Sequence, residues 1–219
     1  MRIRYGHNLS PVRSLSRGQK HNRKKNYGEV INVSIGNFGG KISCKVQVID
    51  KETGKVLDET DAPGDLGTLQ LAQIMCANML DTTQTSAVKD ITGTARTVSA
   101  NSTISSVSVV AGTGSGGESS GNSTAASVTD YALGAIVSGS QGTQTATINS
   151  PSGWSSGTSG TFTITANMAA PSSSTTYYEV GIEITIGSYT FLIAHNVNTS
   201  GWSVGTTQYL AVTFTQTIQ

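Results

Sequence analysis

From Gly160 to Gln219 the chain alternates apolar and polar side chains with a period of two, which a helix cannot satisfy and a half-buried strand requires. In TFTITANM (Thr161–Met168), Phe162, Ile164, Ala166 and Met168 share one face and Thr161, Thr163 and Thr165 the other. The run Thr175–Ala194 sets Tyr178, Val180, Ile182, Ile184 and Ile186 against Glu179, Gly181, Glu183 and Thr185. It then breaks at Gly187-Ser188, a two-residue hairpin signal. QYLAVTFTQTI (Gln208–Ile218) repeats the pattern with Leu210, Val212, Phe214 and Ile218 inward. The expected fold is mainly β: an antiparallel β-sandwich, immunoglobulin-like or jelly-roll-like, with one short helix and an extended basic N-terminal arm.

Charge is distributed unevenly along the 219 residues. Residues 1–28 hold eight cations (Arg2, Arg4, Arg13, Arg17, Lys20, Arg23, Lys24 and Lys25) and no acid. Beyond Arg96 there is no Lys or Arg, only four acids (Glu118, Asp130, Glu179 and Glu183), while Ser and Thr make up 45 of the last 123 residues. Such a surface is unusual for a cytosolic enzyme and suits a β-structure exposed outside a cell or packed into an assembly. Three regions follow: a basic arm over 1–28, a hairpin and helix region over 29–96, and a Ser/Thr-rich sandwich over 97–219. The arm is expected to lie across a neighbouring subunit or to meet phosphate without reading sequence. No apolar run approaches the roughly 20 residues of a membrane span. The first residues lack the apolar core of a signal peptide, so synthesis in a cytoplasm is expected.

Within 29–96, EVINVSI and KISCKVQVID alternate around an Asn37–Gly40 turn, and KVLDE returns with Lys and Glu on its solvated side. Residues 61–81 hold the helix, capped by Thr68 or Asp65. Leu69, Ala72, Cys76 and Met79 or Leu80 form its apolar stripe, and Met75 and Met79 are expected in the core. Cys44 and Cys76 are expected as free thiols. Val107, Val109 and Val110 mark another strand, followed by a Gly-rich loop that Asp130–Gly134 closes.

No constellation of catalytic or cofactor-binding residues stands out, and an enzyme is not expected. GTGSGG lacks the Gly-Lys-Ser/Thr of a phosphate loop, and GTGSG at Gly112–Gly116 lacks the central serine of a nucleophile elbow. His7, His21 and His195 show no metal-ligand spacing, and His195 reads as the end of a strand before an Asn196–Gly201 turn. Glu179 and Glu183 share a strand face. Paired carboxylates could serve glycoside hydrolysis, but a solvent-facing pair or an intersubunit contact is the expected reading. Trp154 and Trp202, in the loop-like PSGWSSG and TSGWSVG, and Tyr177 and Tyr178 are the candidate interface or glycan-contacting aromatics.

Taken in order, LQLAQIMCANML, VVAGTGSGG, TDYALGAIV, GTFTITANM, YYEVGIEI, FLIAHNV and YLAVTFTQTI resemble a loose family of β-sandwich structural proteins of tailed bacterial and archaeal viruses. The likeness runs from about Thr68 to the C-terminus. It implies a virion component (capsid, decoration, turret or tail) present in many copies. Its expected partners are copies of itself and other virion proteins, with the arm tying neighbours together or touching nucleic acid. It supplies no catalytic residue. One departure is Ala194-His195, where Arg is common in the family. Two alternatives stand beside it: a carbohydrate-binding or adhesin module that meets host glycans through its aromatics, and a non-viral surface-layer or filament subunit.

Overall fold

A computed structural model describes residues 40–62, 66–114, 126–152 and 160–218. The basic arm, the EVINVSI segment, Asp65 and Trp154 lie outside them. The described chain is mainly β, a β-sandwich of antiparallel sheets packed together, with one short α-helix. β1 (Gly40–Asp50), β2 (Val56–Ala62), β7 (Thr147–Ser152), β8 (Gly160–Asn167) and β11 (Gln208–Ile218) form one sheet in the order β2-β1-β11-β8-β7. β5 (Ile104–Gly112), β6 (Thr143–Thr145), β9 (Thr175–Ile186) and β10 (Tyr189–Val204) form the other, in the order β10-β9-β5-β6. β3 (Gln84–Lys89) and β4 (Ala95–Val98) pair as a separate hairpin.

The alternation read from the sequence decides which face is inside. Ile42, Cys44, Val46 and Val48 of β1, Ile164 and Ala166 of β8, and Leu210, Val212 and Phe214 of β11 point inward from the first sheet. They meet Val109 and Ala111 of β5 and Val180, Ile182 and Ile184 of β9 from the second. β1 runs beside β11 in unbroken register from Gly40↔Ile218 to Asp50↔Gln208, so the hairpin of the 29–96 stretch and the C-terminal strand share one sheet and one core. All described residues belong to one compact unit, Ser34–Gln219. The β9–β10 hairpin turns at Gly187-Ser188, and only Gly187 takes a positive φ (61°), the pattern of a II′ turn. Lys45 bridges Glu59 and Asp61 on the solvated side of β1 and β2. Both cysteines are free; Cys44 is buried, and burial pushes its thiol pKa far up.

The helix α1 (Leu69–Met79) forms where expected but turns the other way. It buries Gln70, Ile74 and Ala77, while Leu69, Met75, Met79 and Leu80 face outward, so Met75 and Met79 are not core residues. Thr68 occupies the N-cap position without capping: its hydroxyl donates to the Leu192 carbonyl at 2.6 Å, tying the helix start to β10. Among the described residues no helix is long and apolar enough to cross a membrane.

Asp90 organises the β3–β4 hairpin. One carboxylate oxygen accepts from the backbone N–H groups of Thr92 and Thr94, and the other from Arg96 Nε at 2.6 Å. Burial alone would raise its pKa, but these hydrogen bonds, with that of the Thr92 hydroxyl, hold it at about 2. The hairpin places Lys89 over the Tyr131 ring and so helps to seat the 126–137 segment.

Candidate functional site

The outer face of the β10-β9-β5-β6 sheet is covered by the 126–137 segment, and three ionisable side chains meet beneath it. A local irregularity aims the central one. Strict alternation from Phe191 would send Ile193 and His195 inward together. Instead Leu192 pairs with Glu183 and Ala194 with Ile182, so Ile193 is the extra residue of a β-bulge. Ile193 and Ala194 both join the core, and His195 emerges opposite Gly181 on the outer face. His195 therefore lies within a sixteen-residue strand and does not end one.

His195 Nδ1 lies 2.7 Å from Asp130 Oδ2, and its Nε2 lies 3.2 Å from Glu179 Oε2. All three side chains are at most 1% exposed. Asp130 comes from a tight turn in which its backbone N–H donates to the Ser127 carbonyl. Its Oδ2 also accepts from the Ser127 N–H at 2.8 Å. Glu179 Oε1 accepts from the Ala135 N–H at 3.0 Å. Both imidazole nitrogens face carboxylate oxygens, and only the imidazolium can donate to both. Burial opposes that charge most strongly, but the hydrogen bonds and negative charge of Asp130 and Glu179 outweigh it and raise the His195 pKa above 6.5.

Glycines make the close packing here feasible. A Cβ at Gly112 would stand 2.6 Å from the Ala135 carbonyl oxygen and 2.8 Å from Glu179 Oε1, and one at Gly114 would strike Glu179 Oε1. Gly181 leaves room for Leu133, which packs with Val110 and Leu192 into a small second core. Backbone bonds complete the seam: Thr113 N–H donates to Ala135 and Val137 N–H to Ala111. Gly112→Ala is therefore expected to lower stability by about 1–3 kcal/mol, since a backbone atom rather than a movable side chain blocks the new methyl. Urea unfolding measures this, and a loss below about 0.5 kcal/mol would mean that the seam yields easily.

Glu183 lies on the same outer face, between Ser108 and Leu192 in register. It is only 8% exposed, and its Oε1 has no hydrogen-bond partner. Burial raises its pKa to about 7. The expected solvent-facing pair is thus corrected: the 126–137 segment covers this face, and Glu179 is spent on His195.

The aromatic candidates separate. Trp202 and Tyr177 are fully buried in the core between the sheets and offer no ring surface to a glycan or a neighbouring subunit. The Tyr177 hydroxyl donates to the Gln141 carbonyl at 3.1 Å. TSGWSVG is not a free loop: residues 198–201 are extra to the β9–β10 ladder, which resumes at Trp202↔Tyr177. Tyr178 is half-buried beside Gly201. The arm cations, like Trp154, lie outside the described residues.

Among the described residues no group of three His, Cys, Asp or Glu side chains is placed to hold a metal ion. A cavity of about 70 Å³ sits between the sheets, lined by Ile42, Leu71, Phe162, Ile164, Ile182, Ile193, Phe214 and Gln216, away from the charged cluster. The His195 cluster is closed on all sides and acts as an electrostatic fastening between the sheet and its covering segment. In the sequence Asp130, Glu179 and His195 stand far apart, and no spacing between them joins them. No protein-family model matches the chain, and no curated protein or solved structure matches it either.

Proposed function

We propose that this chain is a structural subunit of a virus particle, made in the host cytoplasm and assembled in many copies. In this reading the sandwich forms the ordered body, and the basic arm ties neighbouring copies together or meets the particle's nucleic acid. The observation that carries the reading is a convergence. VVAGTGSGG, TDYALGAIV, YYEVGIEI and FLIAHNV, four of the segments that resemble tailed-virus structural proteins, lie far apart in sequence. They supply Gly112 and Gly114, Asp130 and Leu133, Glu179 and Gly181, and His195 to one buried seam. Segments that constrain one another in this way form one structural unit of this chain, which supports reading them together. The seam is closed to substrate, which suits a scaffold. The glycan-binding alternative loses two of its four aromatics with the burial of Trp202 and Tyr177.

Light scattering of the purified full chain, followed by negative-stain imaging, tests the proposal. Shells, rings or filaments are expected, and a monomer at every concentration would reject it. Deleting residues 1–28 is expected to leave the thermal transition within a few degrees of the parent and to reduce assembly by at least tenfold. Undiminished assembly would remove the arm from the mechanism.

A further inference from the structure

The stripe that the sequence marks as the buried face of α1 faces outward. Leu69, Ala72, Cys76 and Met79 follow one another at helical spacing, with Met75 and Leu80 alongside. Met79 is 61% exposed and Leu80 65%. Val128 extends the patch: its carbonyl accepts from the Leu69 N–H at 2.7 Å, and its side chain is 58% exposed. Meanwhile Gln70 is buried with an unpartnered Oε1. The core side of the helix carries Leu71, Ile74 and Ala77, which leaves the other apolar stripe on the outside. The helix keeps that stripe free, at the cost of an unsatisfied amide.

We propose that this stripe seats a second copy of the same chain, the two α1 helices pairing antiparallel about a two-fold axis. Charge favours this occupant. LQLAQIMCANM contains no charged residue, so identical stripes meet without repulsion, and neither a basic arm nor an anionic surface finds a complement. Asp81 follows the helix at its C-terminal end, where a carboxylate opposes the helix dipole, and the first turn holds no acid. An antiparallel pair sets each Asp81 beside the other helix's N-terminus, where it is favourable. Two-fold pairing also uses the same patch twice, as an isologous interface must. The small side chains Ala72 and Cys76 lie along the stripe and allow the helices to approach closely. The exposed stripe amounts to a few hundred Å², about half of the ~800 Å² per partner of a stable interface. The pair is therefore weak alone and gains from additional contacts in an assembly. The choice of occupant rests on the multi-copy reading above.

Cys76 makes the test direct, because it is part-exposed on the stripe while Cys44 is buried. The native full chain is treated with a short thiol-bridging reagent, and the products are sized beside untreated protein in light scattering. A covalent dimer is expected. It should disappear in Cys76→Ser and fall at least tenfold in Met79→Glu, a substitution at a site exposed in the single chain. Particles that form without a Cys76 cross-link would overturn the helix pairing and leave the multi-copy reading intact. A cross-linked dimer that never grows larger would uphold the pairing and overturn the many-copy particle. Cross-linking equal in the parent and Met79→Glu would overturn the pairing.

Discussion

Replacing His195 with alanine is expected to lower the unfolding free energy by about 3–5 kcal/mol, because Asp130 and Glu179 then stay buried without the imidazolium between them. The parent's stability should depend on pH. His195 has its pKa raised above 6.5 in the folded chain, so its contribution is complete below 6.5 and fades as pH rises through the folded value. The parent's own stability is therefore greatest in mild acid and declines in alkali, where the neutral ring donates only one hydrogen bond. His195→Arg separates charge from size, since Arg stays protonated throughout. It should retain most of the stability and lose the alkaline decline. Urea unfolding from pH 5 to 9 checks all three proteins. No alkaline decline in the parent, or a loss below about 1 kcal/mol in His195→Ala, would show that the cluster is not held by an imidazolium.

The strands and the Gly187-Ser188 turn were legible because a period of two is a local property that burial on one face enforces. β8 and β11 follow the alternation, and β9 follows it from Val180 to Ile186, while at its start Tyr177 rather than Tyr178 is the buried ring. The helix was legible as a helix but not in its facing. Summed hydrophobicity favours Leu69, Cys76 and Met79 over Gln70, Ile74 and Ala77, and tertiary packing reversed that ranking. His195 was misplaced for a different reason: FLIAHNV gives no sign of the extra residue at Ile193, and a slip of one residue moves every later side chain to the other face. The same holds for Trp202, whose Gly/Ser-rich neighbours imitate a loop although the ladder resumes there. Strand periodicity places Glu179 on the outer face but cannot reveal that the 126–137 segment covers it. A usable signal did exist in composition. Beyond Arg96 the chain has four acids, no Lys or Arg, and one histidine. A segment that must bury carboxylates and has only one titratable cation will tend to bring them together.

Glu183→Gln is expected to raise stability by about 3 kcal/mol above pH 7, the opposite sign to His195→Ala. Burial lifts the Glu183 pKa from 4.5 to about 7, and each unit corresponds to about 1.4 kcal/mol. Because the folded value is the higher one, the folded chain binds the proton more tightly. Stability is then greatest below 4.5, falls as pH rises towards 7, and levels off above it. The amide keeps the shape of the acid without the charge, so the variant should lack that decline while matching the parent near pH 4.5. Glu183 and His195 lower the parent's stability in adjoining windows, the first from 4.5 to about 7 and the second from 6.5 upward. Asp90 acts in the other direction and lower down, its contribution present above 3.8 and lost as pH falls through about 2. The double variant Glu183→Gln/His195→Arg should consequently be nearly flat from pH 5 to 9. The two sites share one sheet face, so some non-additivity is expected. A double variant that still declined across this range would mean that a different buried group carries the proton.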